Sequence, residues 1–398
     1  MSRDVAPPSP ELTPASAPLL PCQPLFLLAG LWAALVPLVW LLPAGWLPER
    51  GIWHARELLL GMAGAAAGGY LLTSLPAWTQ GPLAPLRVTA GAVLLWCLAR
   101  GAAGLELMAV LPAGGRIAGL ANALYFLFVA MAVAVPLARA GTLARAGVAG
   151  RGWIAAGLML AAAAGAGLSG FGHGPAAILI LPFTLLLAHV GGRAVPAFTG
   201  VWLARISAAA APPQLLAPVP LLPVIAAASL LEWSGWRVAA GSLWLAAAGL
   251  VLVRLPSWKT FRTFRYPALF WLHIAYAWLP AAFLLQALAI WWPELIDPAS
   301  ARHALTMGAM GGMMMAVMLR PAMRRHDRRL LMTPLMTAAL MLVQISALLR
   351  VLAAGIAFDG AVKAAALAWV LGWACFTCAF WPAVTGPVPR PAFSARLE

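Results

Sequence analysis

The chain has 398 residues, of which 63% are hydrophobic and only 9% are charged, whereas soluble domains carry about 25% charged residues. This composition excludes a soluble globular protein and predicts an all-α integral membrane protein. The net charge of +15 does not indicate nucleic-acid binding, because the basic residues are spread among short loops between apolar runs, as topology signals are.

Residues 1–24 are rich in proline and lack the apolar core of a signal peptide. We therefore expect a disordered cytoplasmic N-terminal tail, a polytopic helical membrane domain over 25–385, and a short cytoplasmic C-terminal tail over 386–398. Because a helical span needs about 20 apolar residues, the domain is predicted to be a bundle of about twelve transmembrane helices. The predicted spans are 25–47, 52–75, 87–107, 115–137, 152–171, 175–191, 214–232, 236–254, 267–292, 301–320, 331–354 and 361–382.

The apolar segment 193–213 contains Pro196, Pro212 and Pro213. Proline removes a backbone hydrogen bond and clashes with the preceding turn of a helix, so this segment is predicted to form a short interfacial or re-entrant helix. Discontinuous helices of this kind are common in secondary transporters. Transport by way of intramembrane histidines is therefore an alternative function.

The distribution of lysine and arginine predicts the orientation of the spans, since short cytoplasmic loops carry an excess of both. Most of the 26 Lys and Arg residues fall on the side of the two termini, which predicts cytoplasmic termini and a multi-pass protein of the bacterial inner (plasma) membrane. The six histidines then divide into an outer group of His54, His173 and His303, and an inner group of His189, His273 and His326.

The first turn of the second predicted span holds three ionisable residues, His54, Arg56 and Glu57. Such residues are costly to bury in a membrane and indicate a functional site. His54 and Glu57 share a helix face, so Glu57 is predicted to orient the imidazole ring. Glycines follow at spacings of three and four, and the flat face that they form admits either a neighbouring helix or a planar cofactor.

His303 begins the tenth predicted span and is followed by many methionines. Met307, Met310 and Met314 are predicted to share its helix face. Imidazole binds haem iron or copper, and thioethers suit Cu(I). Methionine also fills gaps between membrane helices, so the pattern is compatible with both a metal site and packing.

The ninth predicted span contains His273 and Tyr276, one helical turn apart. The tyrosine hydroxyl could bond a ligand or a diatomic molecule near the histidine, or His273 could be a neutral side chain bonded to a neighbouring helix. Cys375 and Cys378 form a C-x-x-C pattern inside the last span, where packing is the better interpretation. The sequence contains no motif that establishes an enzymatic reaction.

Several motifs resemble, in order and approximate spacing, those of the NnrS family from about residue 25 to residue 355. They are Trp53-His54-Ala55-Arg56-Glu57, Gly69-Tyr70-Leu71-Leu72-Thr73, Trp78-Thr79, Arg193-Ala194-Val195-Pro196-Ala197-Phe198-Thr199, Leu272-His273-Ile274-Ala275-Tyr276-Ala277-Trp278-Leu279-Pro280 and His303-Ala304-Leu305-Thr306-Met307-Gly308-Ala309.

The resemblance implies a twelve-span membrane protein that contains haem and copper and takes part in the bacterial response to nitric oxide and nitrosative stress, often beside denitrification. His54, His273 and His303 fall on histidine positions of the family. The family usually has a second histidine where this chain has Arg56, and a methionine where it has Leu58. Copper is therefore the less secure of the two implied cofactors.

On this basis we expect haem in the outer half of the bilayer, held by His54 and His303, with His273 and Tyr276 lining the site from deeper in the membrane. The small ligand would be nitric oxide or a related molecule. Arg56 cannot ligate a metal because its guanidinium stays protonated. We expect it to pair with an anionic group at the outer mouth, either a haem propionate or a glutamate.

Overall fold

The computed structural model describes residues 19–43, 47, 50–108, 114–141, 149–172, 176–206, 220–326, 329–353, 360–388 and 393. The expectations for residues 1–18 of the tail and for His173 lie outside these ranges. The first helix begins at Cys22, so the last three residues of the predicted tail, 22–24, are helical.

Helical segments follow one another through the described residues in the order of the predicted spans. Ten of them are long and apolar enough to cross a membrane, which confirms the prediction of an all-α membrane bundle. The segments are α1 (Cys22–Leu35, continued by a 3-10 turn at Val36–Leu41), α2 (Arg50–Thr79), α3 (Leu86–Leu107), α4 (Gly114–Arg139), α5 (Ala149–Gly170), α6 (Ala176–Ile206), α7 (Leu221–Trp233), α8 (Arg237–Arg254), α9 (Pro267–Trp291), α10 (298–318), α11 (Pro334–Leu352) and α12 (Ala361–Thr385).

Two segments, α7 and α10, are not among the ten candidate spans. Helix α7 has 13 residues and rises about 20 Å, less than the roughly 30 Å of a bilayer's hydrocarbon core. Helix α10 consists of two short α-helical pieces joined by a π-helical stretch over Ala304–Gly311, and α2 contains a similar stretch over Glu57–Ala63.

Helix α6 runs without a break from Ala176 to Ile206 and contains Pro182 and Pro196. The prediction of a separate interfacial or re-entrant helix is therefore wrong as far as Ile206, and residues 207–213 lie outside the described part of the chain. Because Pro196 has no N–H, the carbonyl of Gly192 loses its helical donor. Arg254 Nη2 replaces that donor with a 2.8 Å hydrogen bond, as neighbouring helices commonly do around prolines in membrane bundles.

Helix α2 lies at the centre of the bundle and is the most enclosed of the ten spans, because 89% of the residues in its apolar 18-residue stretch are buried. Its glycines receive aromatic side chains from the helices around it. A β-carbon added at Gly64 would collide with Phe126 of α4, and one added at Gly69 would collide with Phe26 of α1. The flat glycine face therefore packs against neighbouring helices, and the interpretation as a seat for a planar cofactor is not supported.

The helices alternate in direction, so α2, α10 and α12 begin at the same end of the bundle, where α3 and α11 finish. We call this the His54 end. At the opposite end a two-stranded antiparallel hairpin, β1 (Arg324–His326) and β2 (Arg329–Leu331), joins the region of α10 to α11. Which end faces the cytoplasm stays a prediction from the charge distribution.

Candidate functional site at the His54 end

His54 and His303 lie in the first turns of α2 and α10, and each is partly buried. His303 and Arg350, at the end of α11, are close enough to His54 to interact with it electrostatically. Arg350 acts on His303 as well. The structure thus brings the two histidines together at one end of the bundle, and adds a cation that sequence reasoning had not singled out.

The His303 ring is fixed in a tautomer suited to ligation. Its Nδ1 lies 2.7 Å from the carbonyl oxygen of Ala299; because a carbonyl can only accept, Nδ1 carries the proton and the lone pair is on Nε2. A metal-binding histidine is normally oriented in this way by a hydrogen bond from its other nitrogen. Nε2 of His303 is therefore the ring atom whose lone pair could ligate a metal.

Asp297 secures the turn that carries His303. Its carboxylate accepts hydrogen bonds from the backbone N–H of Ala299 at 3.1 Å and of Ser300 at 3.0 Å, which caps α10. Burial would raise the pKa of this carboxyl group, but the hydrogen bonds from Ala299 and Ser300 outweigh burial and hold the pKa below its ordinary value. The cap therefore stays ionised at neutral pH.

The His54 ring is held more loosely. Trp40, in the 3-10 turn after α1, donates from Nε1 to Nδ1 of His54 over 3.3 Å at an exposed position, and the ring centroids are 5.7 Å apart. This distance is long for a hydrogen bond. Ligation through Nε2 would place the proton on Nδ1 and break the bond from Trp40, which is a small loss for an exposed contact.

A π-helical stretch follows each of the two histidines closely, over Glu57–Ala63 in α2 and over Ala304–Gly311 in α10. In a π-helix the backbone bonds run from residue i to i+5, and such stretches occur frequently at functional sites. The wider turn in α2 is supported from outside, because Trp96 Nε1 donates to the carbonyl of Gly61 over 2.8 Å. Nothing in the apolar pattern of the sequence predicted either stretch.

Glu57 does not orient His54, contrary to the prediction. The carboxylate is buried, with 1% of the residue exposed, and accepts from Arg100 Nη1 of α3 and Trp32 Nε1 of α1, each over 2.9 Å. Arg100 also donates to Asn122 of α4. A buried carboxylate is stabilised far more by a guanidinium than by a neutral imidazole. Glu57 therefore pairs with Arg100 of α3 and not with His54.

Arg56 pairs with a glutamate, as predicted. Its Nη1 lies 2.6 Å from Oε1 of Glu106, near the end of α3, and both side chains are mostly shielded from solvent. The sequence did not identify this partner, since the two residues are 50 positions apart. The ion pair satisfies Arg56 without a haem propionate.

His273 and Tyr276 do not line the site formed by His54 and His303. His273 is buried near the opposite end of α9, with Nε2 2.8 Å from Thr199 Oγ1 and Nδ1 3.0 Å from Thr260 Oγ1. Since both ring nitrogens are engaged by hydroxyl groups, the structure favours the interpretation as a satisfied buried histidine. About 18 residues of helix, roughly 27 Å, separate it from the end of α9 that adjoins α10.

The methionines that follow His303 pack in the core. Met310 is buried, and Met307 and Met314 are partly buried against the same cluster. The prediction that these methionines share a helix face with His303 assumed an α-helix with about 3.6 residues per turn. The π-helical stretch has more residues per turn, so the predicted face is not maintained. The packing interpretation of the methionines is therefore favoured. Cys375 and Cys378 form no disulfide bond.

The donor set fits haem better than copper. Among the residues that the structure describes, no three or more His, Cys, Asp and Glu side chains are grouped so that they could hold a metal ion. Haem iron needs at most two protein ligands because the porphyrin occupies four positions. Two histidines at one end can meet that requirement, whereas a copper site would need further side chains.

Residues 19–387 match the protein family described as NnrS protein, a match that covers nearly the whole chain. The chain belongs to the NnrS family. The resemblance drawn from the sequence motifs is thereby confirmed, and a comparison with curated proteins finds no match. In this NnrS protein the structure pairs Arg56 with Glu106.

Replacing Arg56 with histidine is expected to raise copper uptake from near zero toward one ion per protein. The change removes the Arg56–Glu106 pair and places an imidazole beside the freed carboxylate of Glu106, and copper accepts both kinds of donor. Elemental analysis after incubation with Cu(I) measures it. Arg116→His, at an exposed position of the same end, is the control, and full copper in the unmodified protein would contradict the prediction.

Proposed function

We propose that this NnrS protein binds haem at the His54 end of the bundle and acts in the bacterial response to nitric oxide and nitrosative stress. The observation that carries the proposal is the pairing of His54 and His303 at one end, with Nε2 of His303 presented as a ligand by the bond from Nδ1 to Ala299. When bound, haem iron would supply the position that takes nitric oxide or a related diatomic ligand.

Arg350 is the residue that we assign to a haem propionate. Its guanidinium acts electrostatically on both His54 and His303, and a guanidinium fork binds a carboxylate in two parallel hydrogen bonds. Arg56 is already engaged by Glu106, so its expected role changes from holding haem directly to fixing the ends of α2 and α3 against each other.

The two sides of the site differ in how firmly they are held. The Ala299 carbonyl and the Asp297 cap lock the His303 side, while the His54 side is held by the long bond from Trp40. We propose that His303 would hold the haem iron more firmly than His54, and that His54 would be the weaker of the two ligands when nitric oxide or a related molecule binds. Copper is retained as an expectation only, pending the Arg56→His experiment.

The transporter alternative loses its main support, because it depended on an interruption of the chain from residue 193 and α6 is continuous to Ile206. Localisation in the inner membrane, with both termini in the cytoplasm, is part of the proposal and depends on the charge distribution.

The visible spectrum of the purified protein, produced in cells supplied with haem, tests the proposal. We expect a Soret band that shifts when nitric oxide is added under anaerobic conditions. In parallel, a bacterial strain that lacks the protein should grow more slowly than its parent in the presence of a nitric oxide donor. A correctly folded but colourless preparation would overturn haem binding, and equal growth of the two strains would overturn the role in the stress response.

A further inference from the structure

A cavity of about 270 Å³ lies between α6, α7, α8, α9 and the first turns of α10. Its walls combine apolar side chains with a few polar ones, the usual composition of a small-molecule site. Thr184 and Ser229 contribute hydroxyl groups, and a carboxylate and a guanidinium come from Glu232 and Arg302. None of these residues belongs to the proposed haem site.

Glu232 reaches the cavity with a carboxylate held by neutral donors. Trp244 Nε1 donates to one oxygen over 2.9 Å, and Gln286 Nε2 donates to the other over 2.8 Å. Among the described residues, the ion pairs are those of Arg56 with Glu106 and of Arg100 with Glu57, so no described cation pairs with Glu232. Because both donors are neutral, the carboxylate keeps a full negative charge at the cavity wall, which suits a cationic group supplied by a ligand.

Arg302 lines the same cavity from the first turn of α10. Its guanidinium is not ion-paired with Glu232, so the two opposite charges occupy separate parts of the wall. Phe283 and Trp244 also line the cavity, with ring centroids 5.2 Å apart, and Trp244 is bonded to the Glu232 carboxylate. An aromatic wall beside a carboxylate suits an ammonium group, and the arginine suits a phosphate.

Two charged residues of the cavity wall lie at helix ends, where a membrane interface is expected. Glu232 is the penultimate residue of α7 and Arg302 is near the start of α10, so both charges are at helix ends. The turn after α7 exposes Trp233 and Trp236, at 58% and 67%, as the aromatic belt of a membrane interface does. The apolar part of the lining, Ile180, Leu181 and Leu305, offers a surface to acyl chains.

We infer that this cavity binds the headgroup of a phospholipid that carries both a primary ammonium and a phosphate, the chemistry of phosphatidylethanolamine. The ammonium is held by Glu232 against the aromatic wall, and the phosphate is held by Arg302. The cavity adjoins the proposed haem site at α10, because Arg302 acts electrostatically on His303, but its lining includes neither His54 nor His303.

Native mass spectrometry of the delipidated full-length protein, given equal amounts of phosphatidylethanolamine and phosphatidylglycerol, tests the inference. We expect the unmodified protein to retain one phosphatidylethanolamine in preference to phosphatidylglycerol. Glu232→Gln should reduce this retention roughly tenfold, as expected for the loss of one charge-assisted hydrogen bond. Glu294→Gln, which changes an exposed carboxylate in the loop after α9 at the same end, should leave it unchanged.

A second pair of variants tests the phosphate half of the site. Arg302→Gln should weaken retention of phosphatidylethanolamine, while Lys363→Gln, at an exposed position near the start of α12, should not. Equal retention of the two lipids, or wild-type retention by a folded Glu232→Gln protein, would overturn the inference. Displacement of the lipid by an equal concentration of free O-phosphoethanolamine would show that the site takes the soluble zwitterion and would overturn the lipid assignment.

Discussion

Replacing His303 with alanine is expected to lower the haem affinity of the purified protein by more than about 100-fold. Removing a residue that only hydrogen-bonds a metal ligand already costs up to about 100-fold, and the loss of a ligand itself should cost more. The ring is the better fixed of the two candidate ligands, since its Nδ1–H is bonded to the carbonyl of Ala299 and the turn is capped by Asp297. Haem titration followed by the Soret absorbance gives the affinity directly.

Replacing His54 with alanine should have a smaller effect on affinity and a clear effect on the spectrum. His54 is held by one long, exposed bond from Trp40, so its loss would remove the less firmly held of the two proposed ligands while His303 would still hold the haem. His273→Gln is the control, because His273 is engaged by Thr199 and Thr260 near the opposite end. The ligand assignment fails if both alanine variants keep the wild-type haem content and spectrum.

Replacing Arg100 with alanine is expected to destabilise the folded protein by about 3–5 kcal/mol, the range measured when one partner of a buried ion pair is removed. Only 5% of Arg100 is exposed, and the substitution would leave the carboxylate of Glu57 buried without its cation. It would also empty the space beside Gly61, against which the guanidinium packs. Thermal unfolding in detergent, followed by circular dichroism, measures the loss.

The control for Arg100 is Arg116→Ala, an exposed arginine of α4 whose guanidinium lies 5.6 Å above the ring of Phe171. An exposed contact of this kind contributes about 0.5–1 kcal/mol. A double variant, Arg100→Met with Glu57→Gln, should recover most of the stability, because no charge is then left uncompensated. If Arg100→Ala unfolds at the same temperature as the unmodified protein, the buried pair does not stabilise the bundle.

The helices could be predicted from the sequence because each apolar run has the length that a bilayer requires. Whether Pro196 interrupts its helix could not be predicted in the same way. A proline interrupts a helix only if the freed carbonyl finds no other donor, and here the donor is Arg254, which lies 62 positions along the chain from Gly192. Contacts of such long sequence separation are set by the packing of the bundle, which local patterns do not contain.

The candidate site was predictable to the same limited extent. His54 and His303 were placed at one surface because the spans alternate and both begin at the same end. The partner of Glu57 was predicted wrongly, because a spacing of three residues suggested His54 while a buried guanidinium on α3 was available. Arg350 went unnoticed although it ends a predicted span at the same surface, a position that could have identified it.

The π-helical stretches after His54 and His303 set the angular phase of each histidine relative to the rest of its helix. A π turn holds one residue more than the α turn that it replaces, and each residue of an α-helix advances the direction of the side chain by about 100°. If the same residues formed an uninterrupted α-helix while the glycine face stayed packed, His54 would lie about 100° further around the helix axis, out of the sector that it shares with His303. Deleting one residue from Glu57–Ala63 would instead let α2 return to α-helical bonding with His54 in its present direction. The π-helical stretch therefore accommodates a residue that would otherwise put the histidine out of phase with the face of α2 that packs the bundle.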